Sequence, residues 1–321
     1  MKWSRELRIA RRSIRTALKA ASAIAAAKVP PALQPASFPA TAPLARSLLE
    51  VEDFGSNPGR LRMLVHAPTN PPEAGAPLIV LLHGCGQSAA RFAADAGWSE
   101  LADRLGIPLV LPMQSDDNNQ GRCFNWFRPM HVARGHGEAL SIRQMVSGAL
   151  RRFGSDPGRV FVAGLSAGGA MTAALLAAYP EVFAAGAVAA GLPVGAASSV
   201  PEALRRMAEA GPARSPAAWA DQARRAAPSG FRGPWPRLSV WRGIADRVVD
   251  PENARLLATQ WVSLNGIHPA GMETREFGDA RRDRWRVRGE PVVELWSIPA
   301  LGHDWPPIAV EHIAGFWGMA G

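Results

Sequence analysis

Between Pro77 and the pair His83-Gly84 the chain reads Leu78-Ile79-Val80-Leu81-Leu82, five apolar residues without a polar break. A strand with one face in water alternates apolar and polar side chains, so an unbroken run fits a strand covered on both faces. This constrains the fold, because sheets covered on both faces are built mainly from parallel strands joined by crossover helices. The rest of the chain reads in agreement. Strands are predicted over 61–66, 108–113, 160–164, 184–190, 237–241 and 292–298. Helices are predicted over 89–105, 138–153, 167–178, 252–265 and 308–317, with one or two short ones in the Pro- and Ala-rich stretch 192–236. Residues 114–137 read as a polar loop, and 48–66 as antiparallel strands at one edge. The expected class is α/β, with a mostly parallel central sheet and helices on both faces.

Hydrophobic residues make up 47% of the chain and charged residues 20%, proportions of a globular protein rather than a disordered one. The net charge of +9 suggests nucleic acid until it is located. Residues 1–30 hold eight cations (Lys2, Arg5, Arg8, Arg11, Arg12, Arg15, Lys19, Lys28) against Glu6, which leaves only +2 for everything after them. The folded part is nearly neutral, so no nucleic-acid partner is expected. No run of about 18 apolar residues exists to span a membrane. Residues 1–28 have two readings: an atypical secretory signal with an overlong charged region, or an amphipathic helix that contacts a surface. Pro30, Pro31, Pro35, Pro39 and Pro43 mark an extended linker. The expected organisation is a basic segment with linker over 1–47 and one catalytic domain over 48–321.

The chemistry centres on Gly164-Leu165-Ser166-Ala167-Gly168, which follows the apolar run Val160-Phe161-Val162 and precedes a helix of small residues. Gly-x-Ser-x-Gly alone is a weak pattern. Placed between a strand and a helix it becomes a nucleophile elbow, a strained turn that lifts the serine to the carboxyl end of the sheet. The bland alternative is a loop serine that caps the next helix. A serine hydroxyl needs a base, and the order serine, acid, histidine leaves His268, His303 and His312 among the seven histidines. His303 lies between a strand and the last helix, where catalytic residues of such sheets sit. His268, beside Pro269, and His312, inside the last helix, read as ordinary surface residues. For the acid, Asp246 lies on the loop after strand 237–241. Asp250 precedes Pro251 and reads as a helix cap. Asp246 would hold the tautomer of His303 that leaves its other nitrogen facing Ser166.

A developing oxyanion needs fixed N–H donors. The amide of Ala167, just after the nucleophile, is one candidate. The amide of Cys85, on the loop Leu82-His83-Gly84-Cys85-Gly86, is the other, and His83 is read as loop support. Trp126, Trp241 and Trp305 fall on loops near the same end of the sheet, where aromatic faces suit an acyl chain or phenolic group; for Trp241 core packing is an equal reading. Cys85 and Cys123 are too few for a disulfide scaffold and lack the spacing of a structural metal site. Counting leaves one bridge and two buried thiols both open.

Five motifs in order then resemble one family. They are His83-Gly84-Cys85-Gly86-Gln87; Cys123-Phe124-Asn125-Trp126-Phe127; Arg134-Gly135-His136-Gly137-Glu138 with Ser141-Ile142; Gly164-Leu165-Ser166-Ala167-Gly168-Gly169; and Gly243 with Asp246 and Val249. Together they resemble the polyhydroxybutyrate (PHB) depolymerase-type esterases, which are similar to feruloyl and acetylxylan esterases. The resemblance covers roughly 48–317. It implies an α/β-hydrolase fold, no cofactor, no metal, a triad of Ser166, Asp246 and His303, and oxyanion donors at Cys85 and Ala167. It also implies a bridge from Cys85 to Cys123, and the expected substrate contacts are Gln87, Trp126 and Trp305. A bridge places the chain in an oxidising compartment, so the expected location is extracellular or periplasmic. One departure is Trp241-Arg242 before Gly243, where the family usually has a His-Gly pair. No adsorption domain follows Gly321, so the expected substrates are short hydroxyalkanoate esters or accessible PHB-type polyester rather than crystalline polymer. Hydrolysis of feruloyl or acetylxylan esters is the alternative, and a non-catalytic binding module on a retired hydrolase fold is the distant one.

Overall fold

The computed structural model describes residues 48–70 and 72–319. The expectations for 1–47, including export and surface contact through 1–28, lie outside these residues. In chain order, β1 (Leu48–Val51), β2 (Arg62–His66) and β3 (Leu78–Leu82) lead to helices α1 (Ala89–Asp95) and α2 (Trp98–Leu105), then β4 (Leu109–Met113). Next come α3 (Pro129–Val132), α4 (Gly137–Phe153), β5 (Val160–Leu165), α5 (Ala167–Ala178) and β6 (Ala185–Ala189). After α6 (Val200–Ala208), α7 (Pro216–Ala226), β7 (Arg237–Gly243) and α8 (Glu252–Leu264), the chain ends in β8 (Met272–Phe277), β9 (Ala280–Val287), β10 (Glu290–Ile298) and α9 (Ala309–Trp317).

All ten strands join one sheet in the order β1-β2-β4-β3-β5-β6-β7-β10-β9-β8. The centre, from β4 through β10, is parallel throughout. The edges are antiparallel: β1 and β2 on one side, β9 and β8 on the other.

The apolar run that constrains the sequence reading behaves as its pattern requires. All five residues of β3 are buried, and they divide by alternation. Leu78, Val80 and Leu82 join the core built with Ile142 and Met145 of α4, Met171 and Leu175 of α5, and Trp261 of α8. Ile79 and Leu81 join the opposite core with Phe92 of α1, Trp98 and Leu101 of α2, and Phe316 and Trp317 of α9. Each such side chain contributes about 2 kcal/mol by leaving water. Helix α5 is buried along its entire length. Its alanines and glycines let it lie close beneath β3, β5 and β6 with α7 alongside.

Three features differ from the sequence reading. The helix expected over 89–105 is two helices, because Gly97 takes a left-handed φ of 83° and turns the chain between them. A short helix, α3, interrupts the loop 114–137. The strands β8 and β9 were not expected. Their sequences, Met-Glu-Thr-Arg-Glu-Phe and Ala-Arg-Arg-Asp-Arg-Trp-Arg-Val, are dominated by charge. Charge is what an exposed sheet edge tolerates, since it discourages pairing with another chain.

Candidate active site

Ser166 occupies the turn between β5 and α5 with φ 57° and ψ −118°, a conformation that costs a residue bearing a Cβ about 1–3 kcal/mol. The neighbours enforce it. A Cβ on Gly168 would sit 2.1 Å from the Leu82 carbonyl oxygen and 2.6 Å from that of His83, so only glycine lets the first turn of α5 lie against the end of β3. Ser166 is buried, with 7% of its surface exposed. As a consequence its hydroxyl is held in one place rather than competing with solvent.

His303 reaches it from the loop after β10. Its Nε2 lies 2.9 Å from Ser166 Oγ and its Nδ1 lies 2.8 Å from Asp246 Oδ2. The other carboxylate oxygen, Asp246 Oδ1, accepts from the amides of Val248 at 2.8 Å and Val249 at 3.0 Å. With the acid held this way, the arrangement fits a proton on Nδ1 and a lone pair on Nε2 directed at the serine hydroxyl. The two loops are stitched to each other. Ile244 N–H donates to Ile298 O and Ala245 N–H to Leu301 O, and a Cβ on Gly243 would meet Leu301 O at 2.1 Å. Asp250 is elsewhere engaged: it accepts from Glu252 N at 2.9 Å at the start of α8 and from Ala210 N at 3.2 Å beyond α6.

The amides of Cys85 and Ala167 have no hydrogen-bond acceptor among the described residues. Cys85 is disulfide-bonded to Cys123, 38 residues away, which excludes the reading as two buried thiols. Gln87 turns inward, its Oε1 accepting from Gly84 N at 2.8 Å, so the side chain braces the Cys85 loop. Trp126 packs edge-to-face on Phe127 and shares an apolar cluster with Ala167, Leu192 and Val249, against which Cys85 and Cys123 also pack. Trp305 lies instead in the core on the face of the sheet opposite α5, its ring edge-on to Phe92 at 5.4 Å. It therefore offers the site little surface. Trp241 is likewise core, stacked on Trp296 at 4.5 Å. His312 is not the surface residue expected: it packs 4.6 Å from the Trp296 ring, and burial pushes its pKa down. His268 is exposed and accepts from Ala270 N at 3.3 Å.

The buried acid Glu138 stands in one of the five motifs but has no role assigned there. Glu138, fully buried at the start of α4, gathers donors from Gln114, Asn118 and Asn125. Beyond its place in the Arg134–Glu138 motif, its sequence signal is an acid in the first turn of a helix, which is commonplace. Among the described residues no group of three or more His, Cys, Asp or Glu is arranged to hold a metal ion, and no helix is long and apolar enough to cross a membrane.

The model of the family described as "Esterase PHB depolymerase" matches residues 64–285. Poly(3-hydroxyalkanoate) depolymerase C of Paucimonas lemoignei is 42% identical over 261 residues, covering 81% of this chain and 62% of that protein. The chain thus spans under two thirds of that relative's length. Acetylxylan esterase of Coprinopsis cinerea is 34% identical over 282 residues, covering 86% of this chain and 74% of the relative. Among solved structures, an acetyl xylan esterase from Aspergillus awamori aligns with a TM-score of 0.78 and 26% identity, covering 85% of this chain and 100% of the other.

Proposed function

From the premise that the chain belongs to the PHB depolymerase family of esterases and has an α/β-hydrolase fold, we propose that it hydrolyses carboxylic esters through an acyl-enzyme on Ser166. The observation that carries this reading is the unbroken chain of contacts from Ser166 through His303 to Asp246, at 2.9 and 2.8 Å. Ser166 Oγ attacks the ester carbonyl carbon while its proton passes to His303 Nε2, and the imidazolium is stabilised by Asp246. Charge gathers on the carbonyl oxygen, where the amides of Cys85 and Ala167 serve as donors. Collapse breaks the bond to the alcohol oxygen, which takes the proton from His303. Water then gives its proton to His303 and attacks the acyl carbon. Ser166 leaves with that proton, and the acid is released.

The substrates proposed are short-chain hydroxyalkanoate esters or PHB-type polyester, with Trp126 beside the acyl group. A second reading, an acetylxylan- or feruloyl-type esterase, is favoured by one observation: the solved acetyl xylan esterase is matched over its entire length, the polyester depolymerase over 62% of its own. The Cys85–Cys123 bridge supports an extracellular or periplasmic location. The decisive experiment is an ester panel with purified protein, following release of 3-hydroxybutyrate against release of acetate from xylan and ferulate from feruloyl sugars. A fluorophosphonate probe that labels wild-type protein but not Ser166→Ala is expected. Absence of labelling in folded wild type would instead favour a non-catalytic binding module.

A further inference from the structure

We propose that Glu138, which touches none of the triad, is a positioning residue that sets the direction of the Cys85 amide. This inference rests on the reading of Cys85 as an oxyanion donor. Both peptide groups that flank the Cys85 Cα are pinned, and both lines of contact lead back to one buried carboxylate.

The first line runs through His83. Glu138 Oε1 accepts from Gln114 Nε2 at 2.8 Å. The backbone N–H of Gln114 donates to His83 Nε2 at 3.2 Å, which leaves the ring proton on Nδ1, and Nδ1–H donates to Gly84 O at 2.8 Å. His83 has no exposed surface, and burial pushes its pKa down to about 4, consistent with a neutral ring that donates from one nitrogen and accepts at the other. The carbonyl it holds belongs to the same peptide group as the Cys85 N–H. In a planar trans peptide the C=O and N–H point in opposite directions, so a donor that fixes Gly84 O also fixes the Cys85 N–H. It polarises that peptide in the sense that makes the N–H a better donor.

The second line runs through Asn125. Glu138 Oε2 accepts from Asn125 N at 2.8 Å, and Oε1 from Asn125 Nδ2 at 2.5 Å. Asn125 Oδ1 accepts from Asn119 Nδ2 at 3.0 Å, and Asn119 Oδ1 accepts from Gly121 N at 2.9 Å. Gly121 O then accepts from Gly86 N at 2.9 Å, holding the peptide on the far side of Cys85. Gln114 adds a cross-tie, since its Nε2 also donates to Cys123 O at 3.1 Å. His131 completes the surround of the carboxylate, 3.2 Å from Oε1. A donor acts on a transition state only when held within about 0.5 Å of its place, and a backbone amide on a loop has no rotamer of its own to secure it. The Glu138 network supplies that constraint.

The test compares full-length wild type, Glu138→Gln, Asn119→Ala and Ser166→Ala. Readouts are kcat and KM on a short aryl ester, the affinity of a trifluoromethyl ketone that forms a serine adduct bearing an oxyanion, and circular dichroism with a thermal melt. Glu138→Gln is expected to lower kcat on the order of ten- to a hundred-fold with little change in KM, and to weaken the ketone by a similar factor. Asn119→Ala, on a half-exposed side chain, cuts only the second line and is expected to give the same pattern at smaller size. If Glu138→Gln does not fold, Asn119→Ala decides. Folded variants with wild-type kcat and ketone affinity would overturn the proposal, and so would a fall in kcat that leaves ketone affinity untouched. Ser166→Ala separates the two claims, because turnover surviving that change removes the esterase reading itself.

Discussion

The two halves of the proposed site are held in place by different means. The loops that bring Asp246 and His303 together follow adjacent parallel strands, β7 and β10, and are joined by backbone bonds such as Ile244 N–H to Ile298 O. The Cys85 loop also follows a strand, but its conformation is set from a distance. Its partners lie at Gln114, Gly121 and Cys123, and their anchor is Glu138. The first half is scaffolded by the sheet, and the second by buried side-chain polar groups and one covalent bond. Damage to the first should therefore abolish chemistry without loosening the fold, whereas damage to the second should alter chemistry and stability together.

The largest effect expected is that of Ser166→Ala, a loss of about four to six orders of magnitude in turnover of a short aryl ester. Its melting temperature should stay close to wild type, because the hydrogen bond of the hydroxyl is to His303 on a loop and the elbow is imposed by packing around Gly168. A large drop in stability would show that the serine supports the fold and that the two halves are less separable than described. Next, Asp246→Asn is expected to cost roughly three to four orders of magnitude by favouring the wrong tautomer of His303. Asp250→Asn should leave kcat within about three-fold, with a loss near 1 kcal/mol at the start of α8. The reverse order in a side-by-side kinetic measurement would reassign the acid.

These two predictions concern residues that the sequence made visible, and the reason is positional. Ser166, Asp246 and His303 each lie just past a recognisable strand, so the strand pattern gave context to the Gly-x-Ser-x-Gly motif and to the chain order serine, acid, histidine. Leu78–Leu82 is likewise a strand with the limits expected, because burial on both faces leaves an unbroken apolar pattern. The pattern fails at β8 and β9. Their stabilising contacts are cross-strand: Arg286 with Glu273, Arg284 with Glu294, and Arg282 over the rings of Phe277 and Trp296. A row of arginines looks like solvated surface until the partner strands are placed beside it. Trp305 and His312 failed differently. Their chemical types suggested exposure or function, yet the aromatic packing of the second core absorbs both. Glu138 stands in the Arg134–Glu138 motif without a legible role, because a buried acid is distinguished only by the donors that folding brings to it.

The third prediction tests the half held from a distance. Reduction, or Cys123→Ser, removes the link that closes the 38-residue separation, worth about 4 kcal/mol in the chain-entropy picture. Turnover should fall by a larger fraction than far-ultraviolet circular dichroism, because the sheet does not depend on the bridge while the Cys85 loop does. Two freely titrating thiols in native protein isolated under oxidising conditions would remove this contrast, and with it the support for an exported location.

The last effect expected leaves turnover aside and is a pH dependence of stability that originates at His83. Burial holds its folded-state pKa near 4, against 6.5 for the free side chain. The unfolded chain therefore binds this proton more readily, and protonation favours unfolding. The sign follows directly. The contribution of the neutral ring is fully present above about pH 6.5, falls as pH drops towards 4, and is gone below that. Its size is about 3 kcal/mol at most, from the difference between the two pKa values. Carboxylates titrate over part of the same range, so wild type alone does not isolate the effect. The comparison needed is with His83→Gln, which keeps a polar side chain and removes the titration. Denaturant midpoints measured every half pH unit from 4 to 7 should show the gap between wild type and variant widening with pH and levelling near neutrality. A gap that stays constant across that range would mean that His83 carries no proton linkage. The neutral-ring geometry that orients Gly84 O, and through it the Cys85 amide, would then need another explanation.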